Sequence, residues 1–188
     1  LWLHYMDPHW PYGVKLRGLS AGSRKRALAM AEKALRTPLA LTPDEARELR
    51  CFYEMEVRHL DGCLGQLFDA LRDMGLWRDC AVVLTADHGE AFLEHGVTFH
   101  GDLLYDELIR VPLIIHLPGT PPAVHEGIAS LIDLAPTLCE VGGVQPSETF
   151  EGRPLFEKPA RRAVFAETAY RSFVSESPKR AAVRTIGW

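Results

Sequence analysis

The longest regular pattern in the chain is an apolar stripe with helical spacing. After position 43, apolar residues recur in steps of three and four, which predicts one long amphipathic helix. The segment Thr42–Glu45 reads Thr-Pro-Asp-Glu, a capping box with proline in the first turn, and Gly75 supplies the end. The stripe consists of Ala46, Leu49, Tyr53, Val57, Leu60, Leu64, Leu67 and Leu71. A helix with a single apolar stripe needs a sheet or other helices to cover it.

Short apolar runs elsewhere predict strands. Residues 80–86 and 111–116 are apolar at successive positions, which is typical of strands buried on both faces of a sheet. The segment Trp2–Met6 is a further predicted buried strand. Residues 163–167 and 181–186 are candidates for two late strands.

Helices alternate with these strands along the chain. Two more helices are predicted, over residues 23–36 and 130–141, and the alternation indicates the α/β class with helices on both faces of the sheet. In such sheets, functional residues collect at the carboxyl ends of strands. Polar loops follow two of the predicted strands, at Asp7–Tyr12 and Asp87–Glu90.

Composition narrows the class of protein. The 188 residues are 47% hydrophobic and 24% charged, which is typical of a folded chain and excludes intrinsic disorder. Lys and Arg total 21 against 25 Asp and Glu, a net charge of −4 without a basic block, which argues against a nucleic-acid partner. No apolar run approaches the roughly 20 residues of a transmembrane helix. Leu1 opens an apolar stretch without a charged region, so we expect a strand cut from a longer protein rather than a signal peptide.

The cysteines do not form a metal-binding or disulfide pattern. Cys51, Cys63, Cys80 and Cys139 show no Cys-x-x-Cys spacing. Cys51 and Cys63 fall in the long helix, where helical rise places them about 18 Å apart, too far to bridge. We therefore expect free thiols, and the cysteines leave the cellular compartment open.

The pair Asp87–His88 is a candidate metal site. Carboxylate oxygen and neutral imidazole both bind divalent cations. Where the strand ends, Gly89 lets the chain turn, so both side chains can face one cation. The alternative is that Asp87 caps a following helix while His88 is an ordinary surface residue.

Histidines in the loops are candidates for acid–base chemistry and anion binding. His95 and His100 can each bind an anionic substrate oxygen. His9, held between two prolines and preceded by Asp7, is well placed to act as a general acid. Each of these residues can equally be an ordinary loop residue.

Two acidic residues are candidates for a supporting role. Glu90 and Glu107 can each accept a hydrogen bond from a functional histidine and so orient its ring. Alternatively they form salt bridges, for instance with Arg110. The sequence lacks a Walker A loop, a Gly-x-Gly-x-x-Gly motif and a Gly-x-Ser-x-Gly elbow, and no serine or threonine lies in an evident nucleophile context.

A series of segments in this order is specific where each alone is weak. The segments are His4–Tyr12, Tyr53–Gly65, Val82–Glu90, His95–Gly96, His100–Glu107, Arg110–Ile115, Asp133–Leu138 and Glu151–Leu155. Together they resemble the sulfatase family of the alkaline-phosphatase superfamily. The resemblance implies an alkaline-phosphatase-like α/β/α sandwich with a mixed, mostly parallel sheet, of which residues 1–188 are the second part of a catalytic domain, incomplete at the N-terminus.

The resemblance also implies roles for particular residues. Asp87 and His88 are expected to bind a divalent cation, calcium first, with manganese or zinc as alternatives. His9 is expected to contact the ester and protonate the leaving group, and His100 to contact the sulfate, although many relatives carry lysine at that position. Asp7 and His95 are the candidate substrate-binding residues.

The chain departs from the family pattern at the nucleophile. The family uses a cysteine or serine in a Cys/Ser-x-Pro-x-Arg motif, which sulfatases convert to formylglycine. None of the four cysteines here is followed by x-Pro-x-Arg. We therefore expect the nucleophile, and with it any formylglycine, in an N-terminal part upstream of this chain.

Three functions remain open at this point. The first is metal-dependent hydrolysis of a sulfate ester, carried on a small molecule or a glycan. The second is hydrolysis of a phosphonate monoester or phosphodiester by the same fold, which His88 also permits because that histidine occurs in such relatives. The third is a non-catalytic or partner-binding domain. The oligomeric state cannot be read from the sequence.

Overall fold

The secondary structure alternates helices and short strands along the chain. The computed structural model describes residues 1–14, 16–37, 40–101, 103–156, 163–168 and 180–185. Within these ranges the helices are α1 (Ala21–Arg36), α2 (Pro43–Asp73), α3 (Asp106–Ile109) and α4 (Leu134–Val141). The strands are β1 (Val82–Thr85), β2 (Ala91–Phe92), β3 (Thr98–Phe99), β4 (Leu113–His116), β5 (Ala163–Thr168) and β6 (Arg180–Thr185). Short 3₁₀ turns lie at Leu76–Arg78 and Leu131–Asp133.

The chain divides into two compact units. The first comprises Leu1–Cys80 together with Gly89–His100. The second comprises Ala81–His88 together with Gly101–Trp188. Of the described helices, none combines the length and apolar character that a membrane crossing requires.

The start of α2 confirms the predicted capping box. The hydroxyl of Thr42 accepts a hydrogen bond from the Glu45 backbone N–H at 3.2 Å, and a Glu45 carboxylate oxygen accepts one from the Thr42 N–H at 2.8 Å. These bonds satisfy backbone donors that the first helical turn leaves without partners. Lys33 of α1 adds an ion pair to the same Glu45 carboxylate, at 2.7 Å. The entry of α2 is thereby joined to α1.

The core of the first unit forms where α1 and α2 pack together. Leu49 is fully buried there, and burial of a leucine side chain stabilises a fold by roughly 1.5–3 kcal/mol. The buried members of this core are Tyr12, Ala27, Met30, Ala31, Ala34, Leu41, Ala46, Leu49, Phe52 and Phe99. Small alanines on α1 let the two helices approach closely, and the aromatic residues bring the loops of the unit against them.

A two-stranded antiparallel hairpin completes the first unit. Ala91 of β2 pairs with Phe99 of β3, and Phe92 pairs with Thr98. The Leu93 N–H donates to the Val97 carbonyl at 2.7 Å, which closes the turn. Leu93 has φ of 77°, a left-handed backbone conformation that residues other than glycine rarely adopt.

The second unit contains two antiparallel strand pairs. β1 pairs with β4, with Val82 opposite His116 and Thr85 opposite Leu113. β5 pairs with β6 over their whole lengths. Arg184 of β6 binds the Asp106 carboxylate at 2.5 Å and so joins β6 to α3.

The start of α4 holds the segment after it by hydrogen bonds. Buried Asp133 accepts from the backbone N–H of Ser130 at 3.2 Å and of Arg153 at 3.0 Å. The Thr137 hydroxyl accepts from the Leu155 N–H at 2.9 Å. Gly152 lies so close to this turn that a Cβ atom would meet the Ile132 carbonyl oxygen at 1.9 Å. These contacts explain why Asp, Thr and Gly occupy these positions.

Most predicted elements are confirmed with small shifts of their ends. The predicted helix over 130–141 begins with a 3₁₀ turn and becomes helical at Leu134. The late strands run over 163–168 and 180–185, and predicted residue 186 lies outside the described residues. The residues of β1 and β4 are half-buried, except for exposed Ile114, rather than fully buried as expected. The described strands form three separate two-stranded sheets, each antiparallel, so the mostly parallel pairing that the family resemblance implies is not seen among the described residues.

The predicted strand at Trp2–Met6 is wrong. The segment has no strand geometry, and Trp2 is 80% exposed. A strand exists only where a neighbouring strand pairs with its backbone, and apolar side chains alone do not supply that pairing.

Candidate functional site

The first histidine of the site lies in the turn that follows the N-terminal segment. The His9 backbone N–H donates to the Met6 carbonyl at 3.1 Å, and the side-chain Nδ1 donates to the Trp10 carbonyl at 2.8 Å. A carbonyl oxygen only accepts hydrogen bonds, so Nδ1 must carry a proton in this contact. Nε2 is then the ring nitrogen that can gain or lose a proton while the bond is kept. The ring is exposed. The Trp10–Pro11 peptide bond is cis.

The loop is anchored directly after this turn. Tyr12 is fully buried in the core, and the Gly13 N–H donates to an oxygen of the buried Glu56 carboxylate on α2 at 2.8 Å. Gly13 has φ of 73°, and a Cβ atom there would meet the Phe52 ring at 2.8 Å. A residue other than glycine would be strained at this point in both respects. The backbone that carries His9 is therefore fixed from the helix beneath it.

The second histidine follows the end of the hairpin. Phe99 is buried and has φ of 64°, a left-handed backbone conformation. The chain turns at this residue, so that the Phe99 side chain lies in the core while the next residue, His100, lies outside it. His100 Nδ1 contacts Glu90 Oε1 at 3.1 Å. The Glu90 carboxylate is almost enclosed, with its side chain 6% exposed. The Tyr12 hydroxyl donates to the other carboxylate oxygen, Oε2.

His9 and His100 lie next to one another. Their ring centroids are 5.3 Å apart and the ring planes are inclined at 61°, an edge-to-face arrangement. Two loops that are distant in the sequence thus bring two imidazoles to one place. That the two histidines form one functional site, and the chemical role of each, stay predictions.

Burial keeps the tyrosines of this region protonated. The pKa of Tyr12 is raised far above its ordinary value, mainly by burial and then by the negative charge of Glu90. The pKa of Tyr53 is raised by the same two causes and lowered in smaller measure by Arg50. Tyr12 therefore remains protonated, and a hydrogen-bond donor to Glu90, at neutral pH.

Asp87 and His88 lie in the second unit, directly after β1. The His88 N–H donates to Asp87 Oδ1 at 3.0 Å, and His88 Nε2 lies 3.9 Å from Asp87 Oδ2. The alternative that Asp87 caps a helix is wrong, because the chain continues into β2 without one, whereas His88 is exposed as that alternative expected. An oxygen and a nitrogen at this separation fit a shared divalent cation. No group of three or more metal-binding side chains occurs among the described residues, so these two donors are part of a site at most.

The remaining predicted residues occupy nearby loops or other elements. Asp7 lies half-buried in the turn that carries His9. His95 lies exposed at the turn between β2 and β3, next to Gly96 with its φ of 71°. Glu107 belongs to α3 in the second unit. Of the two carboxylates expected to orient histidines, Glu90 contacts one.

Tyr12 is the residue of the site that the sequence did not predict. Its hydroxyl holds the carboxylate that contacts His100. The only signal was its position three residues after His9. Contact with Glu90 depends on tertiary packing, which no local pattern reports.

Comparison with protein families places this geometry in context. The family model described as Sulfatase matches residues 1–144. The chain belongs to the sulfatase family. Solved structures with a similar fold support the α/β architecture of the alkaline-phosphatase type that the sequence predicted.

Several curated proteins are similar to this sulfatase chain. Arylsulfatase K from Xenopus laevis is 36% identical over 115 residues, which cover 61% of this chain and 21% of that protein. Arylsulfatase K from Bos taurus is 32% identical over the same coverage. The multifunctional alkaline phosphatase superfamily protein PehA from Trinickia caryophylli is 33% identical over 119 residues, 61% of this chain and 23% of that protein. The matched part therefore spans about a fifth of these relatives.

Solved structures share the fold. BT4656 in complex with its substrate D-glucosamine-2-N,6-O-disulfate aligns with a TM-score of 0.64 at 23% identity, over 89% of this chain and 37% of that one. BT1596, a 2-O GAG sulfatase, aligns with a TM-score of 0.55 at 21% identity, over 72% of this chain and 32% of that one.

Proposed function

We propose that the protein hydrolyses sulfate esters, with His9 protonating the leaving alcohol and His100 contacting the sulfate group. The observation that carries this proposal is the adjacent His9–His100 pair in a chain of the sulfatase family. The arylsulfatase K relatives support the reaction class.

The hydrogen bonds of His9 suit a general acid. With Nδ1–H held by the Trp10 carbonyl, the protonated ring carries its second proton on Nε2, the only nitrogen left to give it to a substrate. General acids of this kind contribute about 10²–10⁴-fold to a reaction. The anchored Tyr12 and Gly13 hold the ring in place, so that donation needs little reorganisation.

His100 suits the binding of an anionic group. Its Nδ1 contacts Glu90 at 3.1 Å, and an imidazolium ring carries an N–H on both nitrogens, which suits hydrogen bonds to the oxygens of a sulfate group. Hydrogen bonds between an imidazolium and an oxyanion are charge-assisted and stronger than neutral ones. In this proposal His9 donates a proton to the alcohol oxygen of the ester, and His100 contacts its sulfate group.

Asp87 and His88 are the residues that would hold a divalent cation. Such a cation would supply Lewis-acid chemistry, since a bound metal ion polarises the oxygen atoms that coordinate it. The carboxylate suits calcium or manganese and the imidazole suits zinc, so the pair does not select one metal. The cysteines of this chain lack the family's nucleophile motif, and we do not assign the nucleophile to any of them.

The substrate class that fits best is a sulfated sugar or a small sulfate ester. The solved structure of BT4656 with its disulfated glucosamine shows this fold around a sulfated sugar. Phosphonate or phosphodiester hydrolysis is the second candidate, because PehA, described as multifunctional, is among the similar proteins.

The test compares substrates and variants in the protein as its source organism produces it. Turnover is measured with a sugar sulfate, an aryl sulfate and the matching phosphonate and phosphodiester. We expect the sulfate esters to be hydrolysed fastest, and His9→Ala and His100→Ala to slow them strongly. His59→Ala, on an exposed position of α2, is the matched control and should leave turnover unchanged. Faster hydrolysis of the phosphorus esters would favour the second candidate, and the absence of all turnover would contradict both.

A further inference from the structure

The contact between Glu90 and His100 determines which ring nitrogen of His100 carries the proton. An imidazole in water exists as two neutral tautomers, with the proton on Nε2 or on Nδ1, and the Nε2–H form is the more common. A carboxylate only accepts hydrogen bonds, so a ring nitrogen that faces one must carry the proton. Here the nitrogen that faces Glu90 is Nδ1, at 3.1 Å.

The Glu90 carboxylate is itself fixed. One oxygen accepts from His100 and the other from the Tyr12 hydroxyl. An almost enclosed carboxylate needs such donors, because a buried charge without partners is strongly unfavourable. Each oxygen therefore has a polar partner within the first unit.

Tyr12 receives its own position from the aromatic core. Its ring is fully buried and packs against three aromatic rings at centroid distances of 5.4, 5.9 and 6.1 Å. These rings belong to Tyr53, Phe92 and Phe99. Because these rings hold the Tyr12 ring in place, its hydroxyl is a fixed donor to Glu90. The packed core is thus linked to His100 by two hydrogen bonds, from Tyr12 to Glu90 and from His100 to Glu90.

We infer that Glu90, held by Tyr12, is a positioning residue that keeps His100 in the Nδ1–H tautomer. The consequence is a ring whose orientation and neutral tautomer are both set by the contact with Glu90. The same logic places a carboxylate behind a catalytic histidine in other hydrolases. The part of this inference that concerns turnover rests on the proposed function, while the tautomer does not.

The tautomer is measurable on the 188-residue chain by ¹⁵N NMR of the histidine rings. The His100 signals are identified by their loss in His100→Ala. At a pH where the ring is neutral, we expect the protonated nitrogen to show coupling to Hε1 and only weak coupling to Hδ2, which identifies it as Nδ1. A wild-type His100 protonated on Nε2 overturns the inference without any variant.

Two variants test the cause. Glu90→Ala removes the acceptor, and Glu90→Gln keeps the shape but adds an amide donor, so both should raise the Nε2–H population. Glu94→Ala removes an exposed carboxylate from the same hairpin and should leave the tautomer unchanged. Retention of the Nδ1–H form in both Glu90 variants, or an equal change in the Glu94 variant, contradicts the inference.

A double-mutant cycle in the protein from its source organism separates positioning from mere stabilisation. We expect Glu90→Gln to lower kcat/KM for a sulfate ester about 10–100-fold, the usual effect of losing a carboxylate behind a functional histidine. In the His100→Ala background the same change should have almost no further effect, since its action passes through His100. An equal loss in both backgrounds would show that Glu90 acts elsewhere. If the protein hydrolyses no sulfate ester, the proposed function fails while the tautomer result still stands or falls by itself.

Discussion

His9 lies edge-on to His100, with ring centroids 5.3 Å apart. The first ring is oriented by a backbone carbonyl and the second by a buried carboxylate, so each has its Nδ1 proton fixed by a different kind of acceptor. One imidazole thus has a charged carboxylate behind it and the other a neutral carbonyl, which gives the two rings different electrostatic surroundings.

The role of His9 predicts a dependence on the leaving group. An alkyl alcohol leaves poorly as an alkoxide and needs a proton in the transition state, whereas a nitrophenolate leaves unaided. In the protein from its source organism, His9→Ala should therefore slow an alkyl sulfate about 10²–10⁴-fold and a nitrophenyl sulfate only slightly. Steady-state rates on the two esters check this. Equal slowing of both would make His9 a binding or structural residue.

The 188-residue chain by itself should show no sulfatase or phosphatase turnover above background. The reason is that none of its cysteines occurs in the nucleophile motif of the family. Assays with nitrophenyl sulfate and nitrophenyl phosphate measure this directly. Substantial turnover that His9→Ala abolishes would require a new nucleophile within the chain.

Metal binding by the same chain should be weak. Asp87 and His88 supply two donors, and the described residues contain no larger metal-binding group. Two donors offset little of the cost of removing water from a cation, so calorimetry with calcium, manganese and zinc should give a Kd no tighter than the order of 0.1 mM. Asp87→Ala should abolish the binding, and Asp79→Ala, at an exposed position, should not. Tight binding that survives Asp87→Ala would disprove the ligand assignment.

Tyr12 predicts a loss of stability at alkaline pH. Its pKa in the folded chain is raised above the ordinary value of 10.0, so folding favours the protonated phenol. The stabilisation is complete below pH 10 and declines above it, where the unfolded chain releases this proton and the folded chain does not. The free energy of unfolding should then fall by about 1.4 kcal/mol for each pH unit from this group.

Tyr12→Phe supplies the comparison for that prediction. The variant keeps the buried ring but has no proton to release, so its stability should fall less steeply above pH 10 in urea titrations. Tyr53, whose pKa is also raised, contributes equally to both proteins. Equal slopes would show that Tyr12 ionises in the folded chain.

The sequence predicted those parts of the fold that local chemistry determines. The start of α2 followed from Thr42 and Pro43, and its apolar stripe followed from spacing, because caps and helical periodicity act within a few residues. The hairpin of β2 and β3 was missed. Each of its strands has two residues, and its turn depends on a left-handed Leu93 that no propensity indicates.

The sequence named single residues of the candidate site but not how they are arranged. His9 and His100 were identified by their motifs, whereas the contact of Tyr12 with Glu90 depends on the packing of the aromatic core. Trp2–Met6 shows the opposite error. Its apolar pattern predicts a buried strand, but strand formation depends on a pairing partner that the pattern does not contain.

The long helix α2 is covered over only part of its length. Its 31 residues extend about 46 Å, and its fully buried positions, Ala46, Leu49, Phe52 and Glu56, all lie before its midpoint. Backbone amides exchange with deuterium slowly where opening the helix exposes a packed core, and quickly where it exposes little. One continuous helix should therefore contain two exchange regimes in this chain, slow through the turns around Leu49 and fast through those beyond Val57.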